Sequence, residues 1–82
     1  MKIPQRTIDG LTRYVENRIH PGDFLRAVLE NNLSMAFGRA DDENRECMYE
    51  IVAYIYTKLP AQSWGSEEKV YRWLIGEEQV DL

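Results

Sequence analysis

The stretch CMYEIVAYIYTKLP, residues 47–60, decides how the rest of the chain must fold. Nine of its first ten residues are apolar or aromatic, and Glu50 is the only charged residue before Lys58. A helix that is apolar on most of its circumference is either surrounded by other helices or shared with a second subunit. The main apolar positions recur at helical intervals of three and four: Met48, Ile51, Val52, Ile55 and Leu59.

Helical spacing also predicts an amphipathic helix near the start of the chain. Thr7 is a suitable N-cap for it. Pro21-Gly22 stops it, and because the residue before a proline is pushed out of helical space, we expect the helix to end at His20. Its predicted buried stripe consists of Ile8, Leu11, Val15 and Ile19.

The region between residues 23 and 39 predicts two short helices or one bent helix. Asp23 is favourable at a helix N-terminus, and Asn31-Asn32 interrupts the pattern because asparagine competes for backbone hydrogen bonds. A separate third helix then covers residues 33–39, and a single bent helix over residues 23–39 is the alternative. The predicted inward residues are Phe24, Leu25, Val28 and Leu29, followed by Leu33, Ala36 and Phe37.

The second half of the chain predicts a long central helix and a final short one. Asp41 or Asp42 caps the central helix, which covers about residues 42–59 and is closed by Pro60. Ser66 caps the last helix, whose buried stripe is Val70, Trp73 and Leu74. The fold class is therefore all-α, a compact bundle of four to five short helices around the central helix. We expect residues 1–76 to form a single helical domain and residues 77–82 to form a frayed acidic tail.

Composition narrows the classes of function. The ten basic and fourteen acidic side chains give a net charge of −4, the sum of +2 for residues 1–40 and −6 for residues 41–82. A duplex-binding domain usually carries a basic excess on one face, so nucleic-acid binding is disfavoured. The single cysteine fits a reducing compartment, and no apolar run reaches the roughly 20 residues that span a bilayer. We therefore expect a soluble protein of a reducing, cytosolic compartment.

Candidate catalytic residues are few. His20 with Asp23 has the composition of a general base pair, but a lone histidine beside Pro21-Gly22 is better explained as a turn residue. Cys47 lies near several carboxylates that disfavour its thiolate. The acidic run after residue 40 lacks the alternating ligands and central glycine of a calcium loop. We therefore predict no catalytic residue, no metal site, no cofactor and no enzymatic activity.

Binding residues are better candidates, because tyrosine and arginine are enriched at interfaces. The alternative is that the rings are core-edge residues whose polar tips reach water. The acidic residues at the start of the central helix suit a basic partner surface, or serve only as caps. The predicted partner- or ligand-binding residues are Arg45, Tyr49, Tyr56, Tyr71 and Arg72, together with Asp41, Asp42, Glu43 and Glu46.

Several short elements between about residues 11 and 74 carry a family resemblance. They are Pro21-Gly22 with Phe24-Leu25, Ala27-Val28-Leu29, Arg39-Ala40-Asp41 with Asn44, Ile51-Val52 with Tyr54 and Tyr56, and Trp64-Gly65-Ser66 with Trp73. Through them the chain resembles a family of small uncharacterised all-helical proteins of bacteriophages, prophages and related mobile elements. The resemblance implies a phage accessory protein that acts in the host cytoplasm, and it transfers no activity to any residue.

Three functions of different classes follow as hypotheses. The first is a non-catalytic binding protein, a homo-oligomer that counteracts a host defence system by occluding a host protein. The second is an oligomeric sponge, in which subunits together form a tyrosine- and arginine-lined pocket that stacks a nucleotide signal. The third is a small DNA-binding regulator, supported only by short helices joined by tight turns. The first is our leading expectation.

Overall fold

Residues 2–77, which the computed structural model describes, form six α-helices and one short 3-10 helix. Every regular element in this range is helical, so the all-α prediction is confirmed. The predicted acidic tail, apart from Glu77, lies outside the described residues. The elements are α1 (Gln5–Asn17), α2 (Asp23–Leu29), α3 (Leu33–Arg39), α4 (Asp42–Glu46), α5 (Met48–Lys58), the 3-10 helix (Ala61–Ser63) and α6 (Glu67–Leu74).

Helix α1 starts two residues before the predicted N-cap and buries a different stripe. Thr7 lies inside the helix and is buried, whereas Ile19 lies beyond its end and is 49% exposed. The reason is Gly10, where an added Cβ would lie 3.2 Å from the Leu25 Cδ1, so the missing side chain lets α2 approach closely. The stripe that faces the core is Thr7, Gly10, Leu11 and Tyr14.

The predicted end of α1 at His20 is also wrong. The helix ends at Asn17 because Arg18 adopts the left-handed conformation, with φ of 59°. That conformation is costly for a residue other than glycine. The Arg18 guanidinium offsets the cost by lying 3.6 Å from the Trp73 ring centroid and donating from Nη1 to the Trp73 carbonyl at 2.9 Å.

Helices α2 and α3 are separate, which decides between the two sequence-based alternatives. Asn31 takes a positive φ of 64°, and the Asn32 side chain accepts a hydrogen bond from the Met35 amide at the start of α3. Of the predicted inward residues of α3, only Ala36 is buried. Leu33 and Phe37 are 45% and 44% exposed, because a seven-residue helix that packs through alanine has little surface to cover longer side chains.

The predicted helix over residues 42–59 is broken into α4 and α5 at Cys47. The Cys47 amide donates to the Asn44 carbonyl at 3.2 Å, as in a 3-10 turn, instead of to Glu43. The Cys47 thiol lies 3.2 Å from the Glu43 carbonyl, the acceptor to which the Cys47 amide would donate in a regular helix. The side chain thereby replaces the missing helical hydrogen bond, and regular pairing resumes with the Ile51 amide bonding to the Cys47 carbonyl at 2.9 Å.

Helix α6 begins as predicted, since the Ser66 Oγ accepts a hydrogen bond from the Lys69 amide. The segment before it is attached to α2, because the Gly65 amide donates to the Leu29 carbonyl at 2.7 Å. Gly65 has a φ of 118°, a conformation that L side chains rarely adopt, so glycine is required at this attachment.

The centre of the fold is the contact between α1 and α6. Tyr14 is fully buried, and its hydroxyl donates to the Ser63 carbonyl at 2.7 Å. The Trp73 indole Nε1 donates in turn to the Tyr14 carbonyl at 3.0 Å. One tyrosine therefore holds α1 to both the 3-10 helix and α6. The apolar core around it includes Leu11, Leu25, Leu29, Ile51, Ile55 and Val70.

The Tyr14 hydroxyl can be tested by Tyr14→Phe. The variant leaves the Ser63 carbonyl without its buried donor, which typically costs about 1–2 kcal/mol. We expect the free energy of unfolding, measured by urea denaturation, to fall by about that amount. Tyr71→Phe, at an exposed position, is the matched control. Its free energy of unfolding should stay within about 0.5 kcal/mol of the wild-type value. Equal stability of the two variants would contradict the assignment.

Candidate functional site

Helix α5 carries an exposed aromatic face that consists of Tyr49, Val52 and Tyr56. These three side chains are 82%, 38% and 70% exposed. Their spacing of three and four residues places them on one side of the helix. The neighbouring row, one residue earlier at each position and so about 100° around the helix, packs into the core through Met48, Ile51 and Ile55. The apolar character around the whole helix thus divides into one buried side and one open side.

Trp64 extends the aromatic face at its carboxyl end. The Tyr56 and Trp64 ring centroids lie 5.1 Å apart with an interplanar angle of 50°. The Trp64 Nε1 atom is buried and, within residues 2–77, has no hydrogen-bond acceptor. A buried donor without a partner is uncommon and costs free energy.

Sequence reasoning missed Trp64 and assigned Val52 to the buried stripe. Trp64 reaches Tyr56 only because residues 59–65 turn back along α5, a path that helical spacing does not encode. The sequence does contain an indication that Val52 is exposed. Val52 shares the spacing of Tyr49 and Tyr56 as closely as it shares that of Ile51 and Ile55.

Arg45 precedes Tyr49 by one turn, as the sequence predicts, but its guanidinium is already engaged. Its Nη1 donates to Asp42 Oδ1 at 3.2 Å, and its Nη2 donates to the Ala40 carbonyl at 3.1 Å. These bonds hold the group against the start of α4. In this structure Arg45 therefore acts as a helix-start contact, although half of its side chain stays exposed.

The acidic residues at the start of α4 are mostly paired. Asp41 is the N-cap, accepting from the Asn44 amide at 2.9 Å, and Arg6 Nη2 donates to its other oxygen at 2.7 Å. These two contacts lower the pKa of Asp41, the Asn44 amide most strongly. Arg6 Nη1 also donates to Glu43 at 3.2 Å. The interpretation of these acids as caps is therefore the better supported one for Asp41 and Glu43.

A buried hydrogen bond completes this junction between α1 and α4. The Thr7 hydroxyl donates to the Asn44 Oδ1 at 2.7 Å, and both residues are at least 93% buried. Glu46, by contrast, is exposed on the far side of α4 from this contact. Among the predicted acidic site residues, Glu46 is the one that the described contacts leave available to a partner.

Tyr71 and Arg72 lie on α6, a different helix from the aromatic face. Both are exposed, and Arg72 Nη2 pairs with Glu68 Oε1 at 2.7 Å within the same helix. The structure therefore places Tyr49 and Tyr56 on one side of α5, and it places Arg45 on the preceding helix, α4. It places Tyr71 and Arg72 elsewhere.

The residues considered as catalytic candidates in the sequence are held by contacts within the fold or are buried. His20 Nδ1 accepts a hydrogen bond from the Gly22 amide at 3.0 Å, which fits a turn histidine, and Asp23 pairs with Arg39 at 3.3 Å. Both line an open cleft of about 380 Å³ between α2 and α3. Burial raises the pKa of the Cys47 thiol, and Glu50 adds to that effect.

The described residues line two open pockets of different size. A second pocket of about 120 Å³ lies between α1 and the end of α5, lined by Leu11, Val15, Tyr54 and Lys58 among others. The larger cleft is lined by arginines without tyrosine, and the smaller by Tyr54 without arginine. Within residues 2–77 no group of three or more metal-ligating side chains occurs.

No helix in the described part of the chain combines the length and the apolar character that crossing a membrane requires. Comparison of the chain with protein-family models, curated protein sequences and solved structures found no match. The resemblance to a phage protein family thus stays a prediction.

The Asp41 contacts predict a pH dependence that Asp41→Asn should reduce. The folded-state pKa lies below the ordinary value of 3.8, so the stabilisation is present above that value and is lost as pH falls through the folded-state pKa. Asparagine keeps the cap but not the charge pair with Arg6. We expect the variant to melt at a lower temperature than the wild type at pH 7, with the difference shrinking below about pH 3.8.

Thermal melts followed by circular dichroism from pH 7 to pH 2.5 measure this difference. Glu46→Gln, at an exposed position of the same helix, is the control and should shift the melting temperature little at any pH. A difference between Asp41→Asn and wild type that is constant over the whole range would contradict the charge-pair explanation.

Proposed function

We propose that the chain is a non-catalytic binding protein of phage or mobile-element origin. It acts in the host cytoplasm and occludes a host protein, in the manner of a protein that counteracts a host defence system. The observation that carries the binding part of this proposal is the aromatic face. The resemblance described above supports the phage context.

The aromatic face has the chemistry of a protein interface. Two tyrosines and a valine in a row offer apolar area with hydroxyl groups at the rim, which is the composition enriched in interface centres. A tyrosine loses little conformational entropy on binding because it has only two side-chain torsions. Helix α5 is also fixed to the core on its other side, so the face is preorganised.

The charges around the face favour a weakly basic partner surface. Residues 41–82 carry a net charge of −6, which by itself predicts strong attraction to cations and a steep dependence on salt. Arg6 and Arg45 neutralise part of the acidic cluster through their ion pairs. We therefore expect burial of the aromatic face to supply most of the affinity and Glu46 to add a modest salt-dependent part.

Site-specific photocrosslinking in bacterial cells tests this proposal. A benzophenone amino acid replaces Tyr49 or Tyr56 in the full chain, and Tyr71 in the matched control. We expect crosslinks from positions 49 and 56 to one host protein, recovered as an adduct heavier than two copies of the chain. Position 71 should give no such adduct.

The second arm uses Tyr49→Ser combined with Tyr56→Ser. If the face binds the host protein, the double variant competes at least tenfold less well for the identified protein than the wild type, because two central aromatic side chains are lost. Tyr71→Ser should compete like the wild type. Adducts that form equally from position 71, or competition that the double variant retains, would overturn the proposal.

A further inference from the structure

We propose that the pocket between α1 and the end of α5 binds a free apolar α-amino acid of the size of leucine, in its zwitterionic form. The inference does not rest on the proposed function, because none of Tyr49, Val52 and Tyr56 lines this pocket. The apolar floor of the pocket, two unpaired opposite charges at its rim and its volume carry the inference.

The floor of the pocket is apolar and only partly covered by the fold. Leu11 and Val15 lie one turn apart on α1, and Leu11 is fully buried. Val15, Tyr54 and Leu59 pack against the core but stay partly exposed. A ligand that covers these side chains removes apolar surface from water, which favours binding. The floor therefore suits an aliphatic side chain.

Two opposite charges at the rim of the pocket have no partner in the fold. Glu16 of α1 and Lys58 of α5 both line the pocket, and both are exposed. Within residues 2–77 neither side chain forms an ion pair with the other or with a third group. A carboxylate and an ammonium group therefore stand free beside one apolar floor.

The larger cleft between α2 and α3 does not offer such groups. Its two arginines are already paired with carboxylates that line the same cleft, Arg26 with Glu30 at 2.9 Å and Arg39 with Asp23 at 3.3 Å. A charged ligand there would have to compete with these ion pairs. The smaller pocket is therefore the better site for a charged ligand.

An α-amino acid matches the arrangement, because its carboxylate and its ammonium group lie together at one end and its side chain at the other. Lys58 pairs with the carboxylate and Glu16 with the ammonium group, while the side chain covers the floor. A simple carboxylic acid would bring a second negative charge beside Glu16, and a simple amine would bring a second positive charge beside Lys58. The pair of rim charges thus selects a zwitterion.

The volume of the pocket sets the size of the ligand side chain. The pocket measures about 120 Å³, somewhat less than the roughly 150 Å³ of an apolar cavity that accommodates benzene. A branched chain such as that of leucine fits this space, whereas an indole ring exceeds it. Because the pocket is open to solvent, we expect weak binding, with a dissociation constant on the order of 1 mM.

The site is tested by titrating the ¹⁵N-labelled full chain with leucine and recording amide chemical shifts at about pH 6.5, where α-amino groups are protonated. We expect saturable shifts, up to about 20 mM leucine, confined to residues 11–16 and 54–59. Leucinamide lacks the carboxylate of leucine and 4-methylpentanoate lacks its ammonium group, so each should bind at least about threefold more weakly. Alanine, which lacks the branched chain, should bind at least about tenfold more weakly.

Variants of the two rim residues assign the contacts. Lys58→Met should bind leucine about threefold more weakly and lose the preference for leucine over leucinamide, because the carboxylate has lost its partner. Glu16→Gln should lose the preference for leucine over 4-methylpentanoate in the same way. Lys2→Met and Glu46→Gln, at exposed positions outside the pocket, are the matched controls and should bind leucine like the wild type. Circular dichroism verifies that all four variants are folded.

Two kinds of result would overturn the inference. Leucine that shifts no amide at about 20 mM, or that shifts amides over the whole surface without saturation, would remove the site. Equal binding of leucine, leucinamide and 4-methylpentanoate would remove the recognition of a zwitterion, as would a Lys58→Met variant that keeps the wild-type preference. The titrations contain no host protein, so their outcome is independent of the photocrosslinking at positions 49 and 56.

Discussion

The fold depends on one buried tyrosine whose two polar ends are both hydrogen-bonded. The Tyr14 hydroxyl donates to the Ser63 carbonyl, and the Tyr14 carbonyl accepts from the Trp73 indole. A phenol buried this completely is stable only with a partner for its hydroxyl, and burial accordingly raises its pKa. The two bonds join Tyr14 to segments that lie 49 and 59 residues further along the chain.

The contact between α1 and α6 determines which side of α5 is buried and which side stays exposed. With α1 and α6 joined through Tyr14 and Trp73, α5 packs its Met48, Ile51 and Ile55 side into the core they form. A chain of 82 residues has too little helical surface to enclose a second side as well. The open aromatic face is therefore a consequence of how few elements pack around a helix that is apolar on nearly all sides.

Local features of the fold could be predicted from the sequence, and features set by distant contacts could not. The Ser66 cap and the asparagine break between α2 and α3 follow from backbone chemistry within four residues. The rotation of the α1 stripe could not be foreseen, because it follows from the approach of Leu25 to Gly10. The break at Cys47 likewise depends on a thiol contact that competes with the ordinary helical hydrogen bond.

At the candidate site, the sequence predicted the shared side of the tyrosines correctly. It predicted less well which charged side chains are available to a partner. Tyr49 and Tyr56 share one side because helical geometry alone places positions seven residues apart there. Whether Asp41, Glu43 and Arg45 are available depends on Arg6, Asp42 and the Ala40 carbonyl. Only the folded chain brings Arg6 to α4, so a net charge counted along the sequence overstates the charge offered to a partner.

The separation between the folding contacts and the aromatic face has a consequence for how the surface can change. Neither the Tyr14 contacts nor the junction of Arg6 and Thr7 with α4 involves Tyr49, Val52 or Tyr56. We therefore expect substitutions on that face to cost little stability, apart from the contact of Tyr56 with Trp64. The surface can vary in this way because the core contacts of α5 come from the neighbouring row of Met48, Ile51 and Ile55.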